Sequence, residues 1–158
     1  MKPNPIPSNY PELIPVIAVS DGQGAIEFYK EVFGAKERSR MADPSGKVMH
    51  AELEFGSSLL MLAEKCEGYN FTPEELDGKS PVALHLYVED VDATVERAVE
   101  TGGSVVIPVA DQFYGDRSGR VRDPFGHIWL VSSHVEDVPP EEMKRRAAAF
   151  METADAKA

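Results

Sequence analysis

His50 and Glu52 stand two residues apart in Met49-His50-Ala51-Glu52-Leu53, and His85 precedes Tyr87 by two in Ala83-Leu84-His85-Leu86-Tyr87. On an extended chain that spacing puts both side chains of each pair on one face. Imidazole titrates near neutrality, so His50 and His85 are candidates for hydrogen bonding or proton transfer to a bound molecule, with Glu52 orienting or polarising a histidine. Tyr87, Phe113 and Tyr114 offer stacking surface, and Arg117 or Arg122 a cation for an anionic group. An alternative chemistry uses His50, Glu52 and His85 as three ligands of a divalent metal with an open water position, for a lyase, isomerase or oxygenase type of reaction. His127 follows a turn and is expected to point away, and His134 is expected at the edge of the domain.

The elements that must position these side chains repeat. A shift of 69 positions pairs Val19-Ser20-Asp21 with Val88-Glu89-Asp90 and Gly34 with Gly103, and a shift of 70 pairs Phe55-Gly56 with Phe125-Gly126. Between these anchors, 25–33 and 94–100 have helical apolar spacing and end at glycine. Each follows a strand rich in β-branched residues, 14–19 and 82–88, and precedes three more strand candidates: 36–41, 47–55 and 58–63, then 104–109, 117–123 and 127–132. The reading is α+β, with two tandem βαβββ modules at 13–63 and 82–134. A proline-rich arm (1–12), a polar linker (64–81) and a C-terminal helix and tail (135–158) complete the chain.

Alternation sorts the strand side chains further. Val82, Leu84, Leu86 and Val88 form an apolar face expected under a helix, leaving Ala83, His85 and Tyr87 opposite. Met49, Ala51, Leu53 and Phe55 are expected on the helix side of their strand, with His50, Glu52 and Glu54 opposite; Val121 is the buried candidate between Arg120 and Arg122. The segment Asp111-Gln112-Phe113-Tyr114-Gly115-Asp116-Arg117 combines aromatic surface, charge and a glycine hinge, as a lid or rim would. In the final helix Met143, Ala147, Phe150 and Met151 share a face that covers either its own domain or a second subunit.

Composition narrows the partners. The 158 residues are 42% hydrophobic and 27% charged, a globular balance, and 27 acidic against 16 basic residues give a net charge of −11. Nucleic acid is therefore a poor partner. No apolar run reaches the roughly 18–20 residues of a membrane span, and the start lacks a signal peptide's apolar stretch, so a soluble cytoplasmic protein is expected. Cys66 has no second cysteine for an internal disulfide and no neighbouring histidine to activate it.

Together, Val19-Ser20-Asp21 leading to Ala25-Ile26-Glu27-Phe28-Tyr29 and Phe33-Gly34, and Asp123-Pro124-Phe125-Gly126-His127 before the last strand, resemble the vicinal-oxygen-chelate superfamily of glyoxalase I, extradiol dioxygenases and bleomycin-resistance proteins. Met49-His50-Ala51-Glu52-Leu53, His85-Leu86-Tyr87-Val88-Glu89-Asp90 and the 111–117 segment are similar to its PhnB-like subgroup. The resemblance covers residues 12–134. It implies paired modules forming a half-open barrel-like sheet around a cleft, usually completed in a homodimer. In metal-dependent members four strand positions carry histidine and glutamate ligands; these match Ile14, Leu60, Ala83 and Leu130, none of which is a metal donor. The expectation is a cleft that binds a small organic molecule without metal or other cofactor, for sequestration or acid–base chemistry. The alternatives are the relocated His50/Glu52/His85 metal site, with a divalent metal as cofactor, and a non-catalytic interaction module built on the arm and terminal helix.

Overall fold

Asp21 and Asp90, 69 positions apart, do the same work. Each adopts extended backbone, and each carboxylate accepts a hydrogen bond from a first-turn amide, Gly24 N–H and Ala93 N–H respectively. Both cap helices that follow a short strand. A computed structural model, which describes residues 5–66 and 70–155, shows what these caps organise. In chain order the elements are β1 (Val16–Val19), α1 (Gly22–Phe33), β2 (Lys36–Ala42), β3 (Val48–Phe55), β4 (Ser58–Glu64), β5 (Ala83–Tyr87), α2 (Val91–Glu100), β6 (Ser104–Asp111), β7 (Asp116–Arg122), β8 (Ile128–His134) and α3 (Pro140–Asp155). A short 3-10 turn, Pro73–Leu76, lies between β4 and β5.

The strands form two sheets of identical topology, β1-β4-β3-β2 and β5-β8-β7-β6. In each, the first strand pairs in parallel with the fourth, and the others are antiparallel. The fold is thus α+β with tandem βαβββ modules and a C-terminal helix. Residues 1–4 of the arm, 67–69 of the linker and 156–158 of the tail lie outside the described residues. The described part of the arm, 5–12, runs in bends and turns, with Tyr10 N–H donating to the Pro7 carbonyl.

The chain divides into two compact units whose boundary is not a single point: the first runs to Pro81 and also takes in Pro124–His127, and the second comprises Val82–Asp123 and the chain from Ile128. In the first, Ile26, Phe28, Tyr29 and Val32 of α1 are buried with Val19, Ala51, Leu53 and Leu62 of the sheet. Phe125 completes this core, its ring edge-on to Phe28 and Tyr29. In the second, Val91, Val95 and Ala98 of α2 are buried, as are Val121, Trp129 and Val131 of the sheet.

Three details differ from the sequence reading. Gly102, not Gly103, takes the left-handed conformation after α2 (φ 102°); Gly103 instead lets the chain pass close to the Ala98 carbonyl. In β5 only Leu84 and Leu86 are partly covered, while Val82 precedes the strand and is exposed. In β3, Met41 pairs with His50 but Ala42 pairs with Val48, so Met49 is an extra, bulged residue. The bulge turns Val48, rather than Met49, into the core and leaves Met49 exposed.

Candidate functional site

Each sheet buries one face under its helix and presents the other as a polar surface, and the predicted residues divide between these surfaces. His50 and Glu52 lie on β3 of the first unit; His85 and Tyr87 lie on β5 of the second.

On the first sheet Glu52 is only 5% exposed. The Tyr10 hydroxyl donates to its Oε1 at 2.8 Å, and His50 Nε2 lies 3.4 Å from the same oxygen. Arg38 Nε sits 3.5 Å from Oε2, and the Arg38 guanidinium covers the Tyr10 ring at 4.4 Å. Arg38 reaches this position because it is the unpaired residue of a second bulge, between Glu37 and Ser39, which re-aims its side chain. Burial by itself would raise the Glu52 pKa; hydrogen bonds from Tyr10, His50 and Ser39, with the Arg38 charge, outweigh it and hold the carboxyl below its ordinary range. Glu52 is therefore an ionised and fully partnered acceptor. Tyr10 and Arg38 were not among the sequence candidates; one comes from the proline-rich arm and the other from a bulge, and neither leaves a periodic signal.

On the second sheet, His85 pairs with Leu130 and Tyr87 with Ser132, while Leu130 and Ser132 pair in turn with Arg120 and Ser118 of β7. Paired residues point to the same side, so these form two adjacent rows on one face. His85 Nε2 is 2.9 Å from Ser132 Oγ, and its ring lies 4.7 Å from that of Tyr87. The Tyr87 hydroxyl donates to Asp116 Oδ2 at 2.7 Å, and His134 Nδ1 meets Asp116 Oδ1 at 2.8 Å. Asp116 is 4% exposed. Burial pushes its pKa up, but the bonds from Tyr87 and His134 prevail and lower it; the Asp116 and Asp137 carboxylates in turn raise that of His134. His134 is thus part of the polar face rather than a bystander. It continues the alternation of Ser132 by one more step, which a strand ended at 132 conceals. Beside these rows is a pocket of about 150 Å³ lined by Ile107, Gln112, Tyr114, Ser118, Arg120 and Leu130.

Other predicted residues are placed differently. Arg117 falls on the Gly119 and Val121 side of β7, toward α2, where Asp92 binds it at 2.6 and 2.8 Å and Asp111 at 2.9 Å. Its charge is spent there and is not offered to a ligand. Arg122 is half-buried and already engaged. Phe113 turns to α3, packing 5.0 Å from Phe150, while Tyr114 lines the pocket. The 111–117 segment is a fixed rim rather than a hinged lid: Gly115 accepts hydrogen bonds from Val135 and Glu136 N–H, both at 2.9 Å. His127 points away as expected, to the Ala18 carbonyl at 2.8 Å.

Register also corrects one of the four positions matched to family metal ligands. Val16 pairs in parallel with Met61, and His85, 69 positions on, pairs with Leu130; the first-module counterpart of Leu130 is therefore Met61. Leu60 points with Leu53 and Leu62 into the core. Ile14, Met61, Ala83 and Leu130 offer one thioether and no imidazole, thiolate or carboxylate, so these residues do not fit the divalent metal of the family's chelating members. Nor is any group of three His, Cys, Asp or Glu side chains gathered to hold an ion among the described residues, His50, Glu52 and His85 included.

The linked Asp116 and His134 give a pH prediction. A lowered Asp116 pKa contributes stability above its unfolded value of 3.8, lost as pH falls through the folded value. A raised His134 pKa contributes fully below 6.5 and is lost as pH rises through the folded value. Urea midpoints measured from about pH 3 to about pH 9 should fall at both ends, and His134→Gln should flatten the alkaline limb. An unchanged alkaline limb in His134→Gln would rule out this assignment.

Comparison with known proteins follows the same lines. No helix among the described residues is long and apolar enough to cross a membrane. Uncharacterized protein Mb0911c of Mycobacterium bovis is 41% identical over 138 residues, covering 85% of this chain and 90% of its own. The X-ray structure of the Arabidopsis thaliana gene product At5g48480 is 28% identical with a TM-score of 0.62, covering 78% of this chain and 98% of that one. A putative 3-demethylubiquinone-9 3-methyltransferase, PhnB protein, from Bacillus cereus shares the fold, with a TM-score of 0.61 at 16% identity over 78% and 99% of the two chains. The sequence model of the Glyoxalase/Bleomycin resistance protein/Dioxygenase superfamily matches residues 14–131, and with both βαβββ modules inside that match, the chain belongs to this superfamily.

Proposed function

We propose that this is a glyoxalase/bleomycin-resistance-like protein of the PhnB-like kind that binds a small organic molecule on the polar face of its second sheet, without a metal, to sequester it or to act on it by acid–base chemistry. The observation that carries the reading is the pocket beside Arg120 and Leu130, which shares its sheet face with His85, Tyr87 and the buried Asp116. A pocket that sets the apolar side chains of Ile107 and Leu130 among the polar groups of Gln112, Tyr114, Ser118 and Arg120 can hold and orient a ligand. His85, fixed by Ser132, is the proton-transfer candidate, and Tyr87, held by Asp116, supplies a ring and a hydroxyl. His50 and Glu52, on the first sheet, take no part in this reading, since Glu52 is already held by Tyr10 and Arg38. A cytoplasmic homodimer belongs to the same proposal; the exposed Phe150 and Met151 of α3 support the dimer.

Chelator-treated protein screened against small aromatic and oxygenated molecules should show saturable thermal stabilisation. At one hundred times the dissociation constant the gain is about 2.7 kcal/mol, a shift of about 5–11 °C for a chain of this size. His85→Gln should weaken that binding. Stabilisation seen only after a divalent metal is restored would overturn the metal-free reading.

A further inference from the structure

Arg120 and Glu52 occupy the same place in the two modules. Glu52 pairs with Met61 and Arg120 with Leu130, and Met61 and Leu130 are counterparts by their parallel pairing. The first module supplies its own partners for the charge at this position: Tyr10 and Arg38 close on Glu52. The second module supplies none. Every other arginine among the described residues is engaged: Arg38 with Glu52, Arg40 with Glu37, Arg117 with Asp92 and Asp111, Arg145 and Arg146 with acids near α3, and Arg97 and Arg122 as well. Of the arginines, Arg120 alone has no such partner among the described residues, in a chain where acids outnumber bases 27 to 16. It is also the arginine that lines the pocket.

We infer that Arg120 receives the carboxylate of a small planar organic acid whose apolar body rests on Leu130 and Ile107, under the rim formed by Tyr114. This rests on the binding reading above and adds the ligand's chemical class. A guanidinium presents paired donors that match a carboxylate, and the Ser118 hydroxyl and Gln112 amide beside it can complete the anion's hydrogen bonds. At about 150 Å³ the pocket matches the volume of a cavity that holds one benzene ring. The protein's net charge of −11 is no obstacle, because a local cation in a partly apolar pocket sets the field the ligand meets.

The test uses benzoate, its neutral isostere benzamide and inorganic phosphate, titrated against the full chain and against Arg120→Gln and Arg120→Lys by calorimetry. Ligand-free melting of each variant serves as the check on folding; the exposed position should leave it unchanged. Benzoate should bind saturably and more tightly than benzamide. Arg120→Gln should weaken benzoate on the order of tenfold, roughly 1.4 kcal/mol, with Arg120→Lys intermediate and benzamide unaffected. Benzoate affinity unchanged in Arg120→Gln, or equal binding of benzoate and benzamide, would overturn the inference and leave the binding reading standing. Phosphate bound as well as benzoate would overturn its organic part. If benzoate does not bind, the inference is overturned, while the binding reading is decided separately by the thermal screen above.

Discussion

Gly115→Ala is expected to destabilise the protein by about 3–4 kcal/mol, a fall in Tm of about 6–16 °C, and to weaken ligand binding at the same time. Gly115 has φ +97°, a left-handed conformation that a residue with a Cβ adopts only under strain. A Cβ built there lies 2.1 Å from the Glu136 carbonyl oxygen, a backbone atom that cannot swing aside. Relief requires the 112–115 turn to separate from the segment after β8, which breaks the hydrogen bonds that Gly115 accepts from Val135 and Glu136. Tyr114 would then leave the pocket wall. Urea unfolding and a ligand titration on one preparation measure both effects; a loss under about 1 kcal/mol would mean that the rim yields where the structure holds it fixed.

Tyr29→Ala should cost about 3–5 kcal/mol, chiefly in the first unit. The Tyr29 side chain has no exposed surface. Its ring stacks 6.1 Å from Phe33 at 12° and meets Phe28 and Phe125 edge-on at 5.8 and 6.4 Å. Truncation removes the centre of an aromatic cluster contributed by α1 and by a turn almost one hundred residues away, so no single element can move in to fill the space. Equilibrium urea unfolding followed by far-ultraviolet circular dichroism reads the loss. A cost below about 2 kcal/mol would show that the cluster collapses around the gap.

The helices, their aspartate caps and the twofold βαβββ order were legible because cap chemistry and apolar period are local. The faces of β7 were legible for the same reason, with Val121 buried and Arg120 exposed. What escaped depends on register. One bulged residue, Met49, breaks the alternation at the start of β3, although Ala51 and Leu53 keep the faces read for them, and another, Arg38, brings a charge to Glu52 that strict alternation places elsewhere. The turn after β7 is one residue longer than the turn after β3, measured between Arg122 and Ile128 and between Glu54 and Leu59. The Phe-Gly pairs that anchor the repeat sit at those turns, so aligning on them points to Leu60 where the strand register gives Met61. The partners of Arg117 are hidden from the sequence for a different reason: Asp92 and Asp111 come from separate elements. The pairing of Asp116 with His134 lies between strand ends, where sequence boundaries are least certain.

The Pro124–His127 turn has a consequence for how the protein is made. It belongs to the first unit, and Phe125 fills that unit's core against Phe28 and Tyr29. A chain emerging from the ribosome exposes β1 to β4 and α1 long before residue 125 is synthesised. The usual order, in which an N-terminal unit finishes folding before the next begins, is therefore closed to this protein. Its first half waits, with an unfilled aromatic core, until most of its second half has been translated.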